Sequence, residues 1–182
     1  GVRLVGSEMC IRDSPNSHQA WSNKGIVYLD LFEHGEALRC FEIALQINPK
    51  SIEALIGRGN AKNHFKKYQE ALIDFNSALV INNKSAKANL NKGMSLIRLG
   101  DFIEGWKLFE YRWQVTGTKE FKKFQNIPLW LGKEPLTNKT LIIYAEQGFG
   151  DTIQFSRYLP LLLTNNPGLK IIASVPNALV KL

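Results

Sequence analysis

Residues 18–51, HQAWSNKGIVYLDLFEHGEALRCFEIALQINPKS, decide the fold because their landmarks return along the chain at a fixed interval. Two steps of 34 residues, a length typical of helical repeats, lead from one glycine and one phenylalanine to the same residue types: Gly25, Gly59 and Gly93, and Phe41, Phe75 and Phe109. Small residues stay small and aromatic residues stay aromatic. The pattern therefore predicts an array of structural repeats.

Each repeat is predicted to be a pair of amphipathic helices. Apolar side chains return every three or four residues, as in Ala37, Phe41 and Ala44, which is the spacing of one helix face. We expect Gly25 and Ala37 to be small because the two helix backbones approach closely there, with Phe41 filling the space beside them. Pro49 is expected to end the second helix. One such pair cannot bury its apolar face alone, so successive pairs should stack.

The pattern resembles the tetratricopeptide repeat (TPR), whose landmarks are matched by Trp21, Gly25, Tyr28, Ala37, Phe41, Ala44 and Pro49. The resemblance covers residues 15–119 and implies an α-solenoid of three helix pairs, at residues 18–51, 52–85 and 86–119. The second repeat departs from the pattern at Lys62, which stands where Tyr28 stood. In the third, Arg112 replaces the alanine of the earlier repeats, so we expect the array to end there, covered by Trp106, Tyr111 and Trp113.

Composition is that of an ordinary soluble globular protein, with 45% hydrophobic and 21% charged residues in a chain of 182. The net charge of +7 is spread along the chain, and no basic cluster interleaves with aromatic residues, which argues against nucleic-acid binding. Cys10 and Cys40 have no metal-ligand spacing and favour a reducing compartment. No apolar run is long enough to span a bilayer. These features predict a cytoplasmic location and no metal site.

Residues 1–14, GVRLVGSEMCIRDS, do not share the phase of the repeats. The run VGSEMCIRDS resembles a translated sequencing-adapter read-through, so we expect this segment to be foreign to the native fold. The native chain would then begin upstream and further repeats would precede residue 15. A native extension is the alternative.

The TPR resemblance implies a groove lined by the first helix of each pair, where such arrays bind protein or peptide partners. By the phase of the repeat, the groove positions are Ile26, Ile56, Asn60, Leu90 and Met94. TPR domains that clamp a terminal carboxylate use Lys, Arg and Asn there, and only Asn60 suits this role, so no clamp is predicted. The groove is instead apolar and suited to an extended or helical segment. The alternative is that some of these residues belong to the core between repeats.

A change of periodicity follows a connector at residues 120–139, in which Pro128, Gly132 and Pro135 break any helix. Residues 140–145 and 169–175 are short β-branched runs that predict buried strands. Between them, Asp151-Thr152 is expected to cap a helix. The order predicts a β-α-β unit within residues 140–182, with parallel strands joined by a crossover, as at the start of a Rossmann-like α/β domain.

The run LIIYAEQGFGDTIQFSRYLPLL at residues 141–162 resembles the heptosyltransferase-like glycosyltransferase domain that follows the repeats in certain bacterial TPR proteins. The pairs Gly150-Asp151 and Leu159-Pro160 match that family. The resemblance implies that Asp151 is the catalytic base, that a nucleotide-sugar donor binds to a second half of the domain outside this chain, and that these 182 residues alone hold no cofactor and are inactive. The implied substrate-binding residues are Glu146, Gln147, Gly148 and Gly150.

Two functions remain open from the sequence. In the first, the repeats form an interaction scaffold that presents a protein or glycan acceptor to a glycosyltransferase. In the second, the chain is a non-catalytic TPR adaptor that binds a peptide or helix in its apolar groove.

Overall fold

A computed structural model describes residues 6, 9, 11–12, 14–116, 126–146 and 148–180. The chain divides into two compact units, residues 1–117 and 118–182. The first unit is helical and the second contains a two-stranded parallel sheet. The predicted fold class, a helical solenoid followed by a β-α-β unit, is confirmed. Every helix in the described part of the chain is too short or too polar to cross a lipid bilayer.

The helical unit is built from pairs of antiparallel neighbours, each packed on the next. Its helices are α1 (His18–Asp30), α2 (His34–Ile47), α3 (Ile52–His64), α4 (Tyr68–Ile81), α5 (Ala86–Arg98), α6 (Phe102–Phe109) and α7 (Arg112–Thr116). Within each pair, α1 packs on α2, α3 on α4 and α5 on α6. Between pairs, α2 packs on α3 and α4 on α5, so that a single core runs through the array.

Serine starts the first helix of every pair. The hydroxyl oxygens of Ser17, Ser51 and Ser85 accept hydrogen bonds from the backbone N–H groups of Ala20, Ala54 and Ala88, at 3.3, 3.4 and 3.4 Å. A serine in this position satisfies one of the N–H groups that the first turn of a helix leaves without a partner. The caps therefore repeat with the period of the array.

The predicted close approach of helices at Gly25 is confirmed. Phe41 is completely buried, and a methyl group added at Gly25 would come within 2.7 Å of its ring carbon Cε1. A methyl group at Gly57 of α3 would come closer still to the same atom. Phe41 therefore joins the first pair to the second, and only glycine fits on either side of its ring.

The third pair ends differently from the first two. Helix α6 has 8 residues, whereas α2 and α4 each have 14. The chain then turns into the short helix α7, where the buried Trp113 donates a hydrogen bond from Nε1 to the Glu110 carboxylate at 3.0 Å. The Arg112 guanidinium reaches the other oxygen of that carboxylate at 2.6 Å. Trp106, which was also expected to cover the end of the array, is exposed.

The second unit contains the predicted parallel strands. Its elements are β1 (Thr140–Tyr144), α8 (Phe149–Ser156), α9 (Leu159–Asn165), β2 (Lys170–Ser174) and a short 3-10 turn at Asn177–Leu179. The strands pair in parallel, from Thr140 opposite Lys170 to Tyr144 opposite Ser174. The single predicted helix is divided in two, because Pro160 lies in the first turn of α9, where a proline is tolerated but cannot continue a preceding helix.

Candidate functional site

The first helices of the pairs form the inner surface of the array. Helix α1 contacts α3, and α3 contacts α5, whereas α2, α4 and α6 pack mainly on the first helices. An array in which one set of helices is in mutual contact curves toward that set. The predicted groove positions all lie on these three helices.

The structure divides the five predicted groove residues into two groups. Ile26 is 42% exposed, and Asn60, Leu90 and Met94 are half-buried, so each of these four offers surface to a partner. Ile56 is only 9% exposed and belongs to the hydrophobic core cluster. It is therefore a core residue, as the alternative interpretation of the groove allowed, because the neighbouring pairs of helices cover its position.

A buried ionic cluster fixes the second pair of helices. Asp74 of α4, whose side chain is 2% exposed, binds the Arg58 guanidinium through two hydrogen bonds of 2.6 and 3.0 Å. The Lys62 ammonium lies 2.9 Å from the same carboxylate. The hydrogen bond to Asp74 raises the pKa of Arg58 above its ordinary value. Both cations of α3 are thus engaged within the fold.

Sequence reasoning missed this cluster, although it left a signal. Lys62 replaces Tyr28 and Asp74 replaces Cys40, each one repeat further along. A new cation and a new carboxylate at positions that face each other within a pair indicate an ion pair. The departure at Lys62 therefore has a structural explanation in Asp74.

Polar contacts also join successive repeats near the ends of the first helices. The Asn63 amide donates a hydrogen bond to the Ser95 hydroxyl at 2.9 Å, and this hydroxyl donates to the carbonyl oxygen of Asn91 at 3.0 Å. The imidazoles of His34 and His64 stack with their centroids 3.6 Å apart. Partial burial, His34 and Arg98 together lower the pKa of His64. These contacts stiffen the joints between repeats on the side where the groove ends.

The residues of the predicted catalytic turn follow strand β1. Glu146, Gly148, Gly150 and Asp151 are all exposed, and Gln147 lies outside the described residues. Asp151 was expected to cap the helix, but that prediction is wrong. Helix α8 begins at Phe149 with Gly148 as its cap residue, and no side chain caps it. The Asp151 carboxylate lies in the first turn of α8, where the helix dipole favours a negative charge.

Comparisons with known proteins agree with the helical unit. The tetratricopeptide repeat family model matches residues 18–51. No curated protein sequence matches the chain significantly. Among solved structures, the chain is similar to the crystal structure of MamA, with a TM-score of 0.54 and 18% identity over 62% of this chain and 66% of that one.

Two further structures share this similarity. A tetratricopeptide repeat protein from Parabacteroides merdae gives a TM-score of 0.54 and 25% identity, over 64% of this chain and 45% of that one. The first TPR domain of human RPAP3 gives 0.52 and 22%, over 62% and 93%. The chain spans less than two thirds of MamA and of the P. merdae protein. The helical unit therefore has the fold of a TPR solenoid.

Proposed function

We propose that the helical unit is a protein-interaction scaffold whose inner surface holds an apolar segment of a partner protein. The observation that carries this proposal is the exposure of Ile26, together with the half-burial of Leu90 and Met94, on helices that touch one another. Apolar side chains left open on adjoining helices form a strip, and such strips are typical of surfaces that receive extended or helical segments. TPR solenoids in general supply such surfaces.

The opposite surface also exposes apolar residues, but in a different arrangement. Val80 of α4 is 87% exposed and Ile103 of α6 is nearly fully exposed. These residues lie on second helices, which pack on the first helices rather than forming a continuous layer of their own. Apolar residues scattered singly on a surface are common and do not indicate a binding site.

Site-specific photocrosslinking tests this function in cells of the source organism. A photoreactive amino acid placed at Met94 is expected to capture a partner protein, and the same amino acid at Val80 is not. Ile26→Glu and Met94→Glu, which bring a carboxylate to the apolar strip, should then weaken the affinity for the captured partner about tenfold or more. Val80→Glu is the matched control on the other surface. Equal weakening by all three variants, with unchanged melting, would contradict the assignment to the inner surface.

We infer a second function for the sheet unit, as the beginning of a sugar-transferring domain. The supporting observation is the position of Asp151, in the first turn of the helix that follows β1 in a parallel β-α-β unit. Ligands of open α/β sheets bind at the carboxyl ends of the strands. Through the resemblance to heptosyltransferase-like enzymes, Asp151 is assigned the removal of a proton from an acceptor hydroxyl. Glu146, Gln147, Gly148 and Gly150 are assigned contacts to the acceptor, and a nucleotide sugar is the donor.

Transfer kinetics of the full-length native protein test this second function. Asp151→Asn removes the base while preserving shape, and it is expected to lower the rate of sugar transfer about a hundredfold or more. Glu134→Gln, another exposed carboxylate of the same unit, should leave the rate unchanged. A rate unaffected by Asp151→Asn would refute the role of this residue as a base, and the scaffold function would stand independently of the result.

A further inference from the structure

One face of helix α5 combines open apolar side chains with cations at both ends. Lys87, Leu90, Met94 and Arg98 follow one another at steps of three, four and four residues. At 100° per residue, these steps keep all four side chains within an arc of about 80°. We call these four residues the α5 stripe.

The position of α5 near the end of the array keeps this face open. Leu90 corresponds, one and two repeats earlier, to Ile56 and Ser22, and both of these residues are buried. Leu90 is only half-buried. The helix that packs next to α5 on the inner side is α7, which has 5 residues, whereas the corresponding neighbour of α3 has 13. A short helix covers less of α5, so apolar surface stays accessible there.

The cations of the stripe have no acidic partner in the described part of the chain. Lys87 and Arg98 are both exposed. Arg98 lies 5.8 Å above the ring of Tyr68, a contact that leaves its charge uncompensated. The cations of α3, by contrast, are neutralised by Asp74. The α5 stripe is thus the basic part of the apolar inner surface.

The corresponding faces of the other two first helices differ in sign. The positions equivalent to Lys87 and Arg98 hold Gln19 and Asp30 on α1, and Glu53 and His64 on α3. Acidic side chains occur on both of those faces and basic residues of full charge on neither. A partner that carries carboxylates is therefore attracted to α5 and disfavoured over α1 and α3, which fixes where and in which direction it binds.

We propose that the α5 stripe binds an acidic, apolar segment of a partner protein. This inference rests on the proposed scaffold function and names the chemistry of its partner. Lys87 and Arg98 are 11 residues apart, or about 16 Å along the helix at 1.5 Å per residue. A partner helix that places two carboxylates at this separation, with two apolar residues between them, meets both cations while covering Leu90 and Met94. A protein segment is favoured over a nucleic acid because the centre of the stripe is aliphatic and holds no aromatic side chain for base stacking.

Three 15-residue peptides test the proposal by fluorescence polarisation with the full 182-residue chain. All are alanine-rich helices with leucine at positions 5 and 9, and they differ only at positions 2 and 13, which hold Glu, Gln or Lys. The Glu peptide is expected to bind about tenfold more tightly than the Gln peptide, and the Lys peptide more weakly than either. In 1 M salt the differences should shrink, because the Debye length falls to about 3 Å.

Charge reversal on the protein gives the decisive comparison. Lys87→Glu/Arg98→Glu is expected to invert the order of affinity, so that the Lys peptide binds best. The control Arg39→Glu/Lys107→Glu makes the same change in net charge on α2 and α6, at two well-exposed residues, and should leave the order as it is. Inversion by the stripe variant also shows that this variant remains folded and able to bind.

Several results would overturn the proposal. If the three peptides bind with equal affinity, or the stripe variant keeps the original order, the acidic preference is wrong while the scaffold function stands. Failure of every peptide to bind also refutes it, and the photocrosslinking at Met94 then decides separately whether the scaffold function survives. A 20-nucleotide single-stranded RNA that binds more tightly than the Glu peptide, and loses its binding in the stripe variant, would assign the surface to nucleic acid. A dimer that dissociates in the stripe variant would assign it to a second copy of the chain.

Discussion

Asp74 shows how a single residue can change the interior of one repeat while the fold stays the same. The positions of Lys62 and Asp74 are occupied by Tyr28 and Cys40 in the first repeat, and by Leu96 and Leu108 in the third. The side chains of Arg58 and Lys62 retain 27% and 15% exposure, whereas that of Asp74 retains 2%. The carboxylate is therefore the most deeply buried charge of the cluster and depends on both cations.

Replacing Asp74 alone is expected to be much more harmful than replacing the pair. Asp74→Leu leaves two cations without their counter-charge and should lower the free energy of unfolding by about 2–4 kcal/mol, the lower part of the range for broken buried ion pairs, because water reaches both cations. Lys62→Leu/Asp74→Leu installs the residues of the third repeat and should recover at least half of that loss. Urea unfolding followed by circular dichroism measures both values. A double variant less stable than Asp74→Leu would show that the cluster contributes more than charge compensation.

At the scale of helices, the sequence predicts what depends on local sterics. The landmarks Gly25, Ala37 and Phe41 report a close helix crossing, and the structure places a buried ring against a glycine there. The parallel strands were predicted for a similar reason, since short β-branched runs separated by a helix have few other arrangements. The early end of the array was predicted from Arg112, a cation too large for the position of Ala44.

Features that depend on the depth of a residue below the surface were not predictable in the same way. The phase of the repeat places Ile56 on a first helix, but its burial depends on how closely the neighbouring pairs pack around it. The start of α8 was misplaced because a glycine caps this helix without any side-chain hydrogen bond. The cluster around Asp74 requires knowledge of which positions face each other within a pair. Comparing the three repeats position by position would have supplied that knowledge.

At the scale of the whole molecule, the two units differ in how completely they bury their own apolar residues. The core of the helical unit runs without interruption from Ala37 to Ala88 and includes two fully buried phenylalanines. In the sheet unit, the described apolar residues that are buried are Leu136 and Leu169, whereas Phe149, Ile153 and Ile172 are more than half exposed. Two parallel strands and two short helices bury too little apolar surface to offset the conformational entropy of a chain of this size.

The two units should therefore behave differently when each is produced alone. A fragment of residues 14–117 is expected to unfold cooperatively on heating, with strong helical circular dichroism, because its core is complete within those residues. A fragment of residues 126–182 is expected to show no cooperative transition and to bind a dye that reports exposed apolar surface. Differential scanning calorimetry distinguishes the two cases, and Asp74→Leu serves as an internal check, since it should lower the transition of the first fragment. A cooperative transition in residues 126–182 would mean that the sheet unit has enough core of its own, and a featureless trace from residues 14–117 would mean that the helical array needs residues beyond its own helices.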